Sequence, residues 1–100
     1  MIFITQLIYI HHGQEQVFDE FENIAIPAIT KYNGRLLLRV RPAVDSFIEN
    51  QIDPPYEIHL VEFQTNEDFE NFKNDENRIK FLHLKAQSVK SALLFQGVQI

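Results

Sequence analysis

Between Tyr56 and Phe72 the chain reads as a strand that runs, with almost no loop, into a helix. From Tyr56 to Gln64 apolar side chains occupy both faces of a period-two pattern, as in a strand covered on both sides. Thr65 then stands where its hydroxyl can accept the amide of Asp68. Glu67 and Asp68 suit the positive end of a starting helix. Residues 2–36 follow the same plan of strand, helix and new strand. Two such units within 100 residues leave few architectures open.

The rest of the pattern fills in the elements between them. Residues 2–12 set Ile2, Ile4, Ile8 and Ile10 on one face and Phe3, Leu7 and Tyr9 on the other, which describes an interior strand ended by Gly13. From Gln14 the period becomes helical, with a broad apolar stripe through Val17, Phe21, Ile24 and Ala28. Glu15, Asp19, Glu20 and Glu22 are assigned to the opposite, solvated side. Pro27 cannot donate to the carbonyl of Asn23, so a bend or a second helical segment is expected there. Asn33-Gly34 supplies a left-handed stop.

Arg35–Arg41 alternates Leu36, Leu38 and Val40 against Arg35, Leu37, Arg39 and Arg41, the pattern of an edge strand or one bordering a polar cavity. The connection from Pro42 to Pro55 is long and carries Phe47, Ile48 and Ile52. Apolar residues there should cover a core edge, a pocket or a partner chain. After the Thr65 helix, with Phe69 and Phe72 turned inward, a further helix is expected over about 76–90 and a fourth strand over 92–100.

Composition removes several classes of function. No Cys is present, so disulfides and thiolate zinc sites are excluded. Fourteen acidic residues against nine basic ones give a net charge of −5, which argues against a nucleic-acid surface. The apolar start lacks the basic residues and cleavage site of a signal peptide and is too short to span a bilayer. The expectation is one cytoplasmic domain, 1–100, with no membrane or nucleic-acid partner and no cofactor.

The order β-α-β-β-α-α-β belongs to an α+β, ferredoxin-like βαββαβ arrangement: a four-stranded antiparallel sheet with helices on one face. Strands that are apolar on both faces would leave the other face bare in a monomer. Sheet-to-sheet pairing of two copies is the simplest cover. The segment Pro27-Ala28-Ile29-Thr30-Lys31-Tyr32-Asn33-Gly34-Arg35-Leu36-Leu37-Leu38-Arg39 resembles the P…KYGGR…R stretch of an uncharacterised family in the dimeric α/β-barrel superfamily. Phe47-Ile48-Glu49, Val61-Glu62-Phe63, the span Asp75–Phe81 and the closing Leu94–Gly97 extend the likeness over nearly the whole chain. The superfamily includes cofactor-independent antibiotic biosynthesis monooxygenases, small-molecule isomerases, haem-using enzymes and stress-responsive dimers. The resemblance therefore implies a homodimer and carries no catalytic residue over.

Residues that interrupt apolar strands are the candidates for chemistry. Arg39 and Glu62 do so, and a charge in that setting must be paired or line a wet cavity. A structural ion pair or interface contact is the plainer expectation for both. The functional alternative is a pocket in which Arg39 holds an anionic or carbonyl group, Glu62 or His59 moves a proton, and Glu49 closes over from the loop. His11, His12, His59 and His83 show no metal-binding spacing, so no metal site is expected. No nucleophile elbow or glycine-rich phosphate loop is present. Three functions stay open: a small-metabolite-binding dimer, a monooxygenase or isomerase, and a non-catalytic stress or scaffold dimer.

Overall fold

The computed structural model describes residues 1–100. Four strands, β1 (Ile2–Ile10), β2 (Gly34–Val40), β3 (Glu57–Phe63) and β4 (Val89–Gly97), form one antiparallel sheet in the order β2-β3-β1-β4. Helices α1 (Glu15–Lys31), α2 (Asn66–Lys73), α3 (Glu76–Lys80) and α4 (Leu82–Ser88) provide the second layer. The result is a slab of 36 × 36 × 16 Å with the ferredoxin-like βαββαβ plan.

Alternation sorts the strands. Ile2, Ile4 and Ile8 of β1 and Glu57, His59, Val61 and Phe63 of β3 are buried toward the helices. Phe63 is the hub of one end of the core, with its ring centroid 5.4 Å from both Phe69 and Phe72. The inward i, i+3 pair expected of α2 is therefore realised. Its cap is too: Thr65 Oγ1 accepts from the Asp68 amide at 3.1 Å.

Several expectations are refined. One helix spans Pro27, and no second segment begins there. Asn23, whose carbonyl loses its partner, lies on the exposed side where water can replace the lost amide. The helix expected over 76–90 divides at Phe81 into α3 and α4, and β4 begins earlier, at Val89. Asn33 (φ 59°) takes the left-handed position after α1.

Gly34 meets a different need, because a Cβ there would lie 2.6 Å from Phe63 Cε1 and 2.7 Å from Ile29 Cγ2. Phe63 is held between two other rings and cannot swing away. Gly34→Ala is expected to cost about 2 kcal/mol of stability, as overpacking does. A urea midpoint unchanged from the parent protein would contradict this packing.

The decisive local feature is a bulge in β2. Leu36 pairs with Val61 and Leu38 with Leu60, so Leu37 is an extra residue. The simple alternation expected for Arg35–Arg41 fails at that point. Arg35 faces away from the helices, whereas Arg39, opposite His59, faces them.

The other sheet face carries Phe3, Leu7, Ile58, Leu60, Leu93 and Phe95, and no element of this chain covers it. Leu93 and Phe95 are 43% and 54% exposed. On the long loop, Ile48 is 97% exposed.

Candidate functional site

Beneath α1 the sheet presents charge where a core would be expected. Glu57 and His59, two apart on β3, share the helix-facing side, and Arg39 enters the same side through the bulge. Glu57 has no exposed side-chain surface. It receives Arg39 Nε at 3.0 Å, Arg41 Nε at 2.6 Å and the Nε2 of His59. Burial alone would push this carboxyl up, but hydrogen bonds from His59, Arg39 and Arg41 outweigh it and hold it at about 2. Asp19, at the surface on α1, pairs with Arg41 and lies 3.9 Å from Arg39. Two carboxylates and two guanidiniums thus balance one another from the surface inward.

A second carboxylate, Glu22, lies near His59 without bonding to it. An ionised Glu57 can only accept, so Nε2 of His59 carries the proton between them. Glu22 Oε2 lies 3.9 Å from the same nitrogen, beyond hydrogen-bond distance. Glu22 is 7% exposed and has no hydrogen-bond partner, yet none of its oxygens is fully enclosed. The space they open into is a cavity of about 140 Å³ between helices and sheet. Burial raises the Glu22 carboxyl above its usual 4.5, and the nearby Glu57 charge adds to that; His59 and Arg39 oppose it without cancelling it.

The cavity has a sheet floor (Gln6, Ile8, Val61) and a wall from α1 (Phe18, Glu22). Facing that wall are Arg78 of α3 and Lys85 of α4. Burial lowers both cations from their ordinary values. Arg78 is steered by its Nη1, which donates to the Lys73 carbonyl at 3.0 Å, and by stacking over Phe72 at 5.4 Å.

Of the candidates read from sequence, Arg39 and His59 are brought together, and Glu62 and Glu49 are not part of the group. Glu62 projects from the opposite sheet face and pairs there with Arg35 at 2.8 Å. It lies three positions along the strand from His59, an odd offset, so the pleat turns it away. Arg39 finds its ion pair in Glu57 instead. Glu49 sits on the exposed loop with no side-chain partner and does not close over the cavity.

Sequence reasoning missed Glu22, Glu57, Arg78 and Lys85. Glu22 is not part of the solvated acidic face: it falls within the buried arc of Phe18, Phe21, Ala25 and Ile29, a spacing visible in the sequence. Glu57 is the period-two neighbour of His59, Val61 and Phe63, which was also a readable signal.

Glu22, Glu57 and His59 each offer a ligand atom within 4.8 Å of the others. The donor set argues against a metal role. Glu57 already accepts from three donors, two of them cationic, and His59 commits Nε2 to holding a proton. His11, His12 and His83 are exposed and stand apart from this group.

No family model matches this sequence, and neither does any curated protein. Solved structures do match. A protein of unknown function from Rhodopseudomonas palustris superposes with a TM-score of 0.81 at 10% identity, covering 99% of this chain and 82% of that one. A candidate antibiotic biosynthesis monooxygenase from Nitrosomonas europaea gives 0.73 at 12% identity, covering 100% and 99%. A dimeric protein of unknown function with a ferredoxin-like fold from Bacteroides fragilis gives 0.68 at 11% identity, covering 96% and 93%. At these identities the likeness speaks for the fold. No helix is long and apolar enough to cross a membrane. By its strand order, its helix layer and these structural relatives, the chain has a ferredoxin-like fold.

Proposed function

We propose that this protein is a homodimer that binds a small metabolite in the cavity of each protomer and moves a proton on it. The observation that carries the reading is Glu22: a carboxylate buried without a hydrogen-bond partner, at the edge of a cavity, beside a histidine. Such a group is destabilised as an anion and takes up a proton more readily than an exposed carboxylate, which suits a general base. Glu57 acts through His59, fixing the ring with its Nε2 proton turned to the carboxylate.

Size limits the occupant. A cavity of about 140 Å³ matches a ligand of roughly the bulk of benzene. Fold likeness alone does not transfer the monooxygenase activity of a relative, because this fold hosts many chemistries. A scaffold dimer with a filled interior would have no use for an unpaired buried carboxylate.

Dimerisation rests on the bare sheet face. Apolar side chains from all four strands lie there, and Val44, Ile48 and Ile52 of the long loop are also exposed. A second copy covers such a face by sheet-on-sheet packing about a twofold axis. The dimeric relative of the same fold supports this occupant.

Hydrogen–deuterium exchange in small carbonyl compounds tests the proton-transfer step. Acetylacetone and 2-oxobutanoate incubated with the protein in heavy water should exchange their acidic C–H positions, followed by NMR. Glu22→Gln should slow that exchange by about a hundredfold, the usual share of a general base. Equal exchange by the parent and the variant would sink the assignment of Glu22, and no catalysed exchange of either compound would sink the enzymatic reading.

A further inference from the structure

The charge balance of the cavity points past "small molecule" to a particular kind. Arg78 and Lys85 face it from one side, and Glu22 is the sole carboxylate on its lining. Lys73 also borders it but is committed to Glu70 at 2.8 Å. Asp75, which acts on Arg78 electrostatically, is occupied by Tyr32 at 2.8 Å and Lys31 at 3.4 Å. Lys85 makes no ion pair, and Glu57 is already matched by Arg39 and Arg41. A chain of net charge −5 therefore keeps a net positive charge inside its cavity.

Half-burying two cations with only Glu22 among them to offset their charge is costly. Burial costs of this kind are offset when an anion enters and is bonded by both. We propose that the cavity is a site for a small organic carboxylate, its carboxyl group held by Lys85 and Arg78 and its apolar body lying over the floor of Ile8 and Val61. Arg78 suits a planar carboxylate because its guanidinium is already oriented by Phe72 and the Lys73 carbonyl. This assignment rests on the reading of the cavity as a small-molecule site and names the class of its ligand. With a carboxylate anchored on the α3–α4 side, the remainder of the ligand is directed toward Glu22 and His59 on the α1–β3 side.

Calorimetry with benzoate and with benzamide, its neutral counterpart of nearly equal size, tests the proposal. Benzoate at up to about 10 mM should bind, and benzamide should bind at least about tenfold more weakly. Lys85→Met should remove that preference, and Lys85→Arg should restore most of it. Circular dichroism of each variant confirms that it is folded. Arg78→Leu gives an independent reading of the same loss. Equal binding of benzoate and benzamide, or an unchanged preference in folded Lys85→Met and Arg78→Leu proteins, would overturn the carboxylate assignment while leaving a small-molecule cavity standing. Binding of neither compound would overturn both.

Discussion

Leu60→Asp is expected to turn the proposed dimer into a monomer. Leu60 sits on β3, an interior strand, and faces the uncovered side of the sheet. In an isologous contact each substitution is present twice, so two carboxylates would enter one apolar interface. Desolvating each costs several kcal/mol, and association should weaken by at least about a thousandfold. The isolated protomer leaves this face open to water, so the folded monomer should tolerate the change. Sedimentation velocity at micromolar concentration reads the outcome. Phe95→Asp, on the edge strand β4, should act in the same direction with a smaller effect. A parent protein that sediments as a monomer, or a Leu60→Asp protein that remains dimeric, would refute sheet-to-sheet pairing.

Glu57→Gln is expected to lower stability at neutral pH by about 3 kcal/mol. The basis is the carboxyl held at about 2 against the 4.5 of an unperturbed glutamate. Above about pH 5 the native and unfolded states both carry this carboxylate ionised, and the full stabilisation is present. As pH falls from about 4.5 toward about 2, the unfolded chain takes up the proton first, and the stabilisation is lost. The parent protein should therefore lose stability steeply over that range, and Glu57→Gln should flatten the loss. Denaturant melts at a series of pH values provide the measurement, and parallel acid limbs for the two proteins would remove Glu57 as its source.

Glu22 acts with the opposite sign. Its raised carboxyl keeps a proton in the native state after the unfolded chain has released one, so stability falls as pH rises through the raised value. Glu22→Gln should accordingly stabilise the protein near neutrality, which separates its loss of proton exchange from any loss of fold.

How much of the site was legible follows from where each residue lies in its pattern. His59 stood out because a histidine breaks an apolar strand, and Arg39 stood out for the same reason. Their association with Glu57 was recoverable in principle from period-two spacing on β3. Glu22 was hidden by its neighbours, since Glu15, Asp19 and Glu20 make its side of α1 look solvated, and only the helical arc with Phe18 and Ala25 betrays it. Arg78 and Lys85 carried no signal of their own: they read as ordinary exposed cations until α3 and α4 are folded over the sheet.

The local sequence determined the strands, the helices and the Thr65 cap, because alternation, helical period and capping chemistry act over a few residues. It also determined that one sheet face would lack a cover within the chain, since apolar residues stand on both faces of the inner strands. Pairing was decided elsewhere. The bulge at Leu37 is a property of how β2 meets β3, and it alone sends Arg35 to Glu62 on one face and Arg39 to Glu57 on the other. Burial of Glu22 and the positive balance of the cavity likewise arise when helices distant in sequence close over the sheet. A charge acquires its partner and its desolvation only in three dimensions.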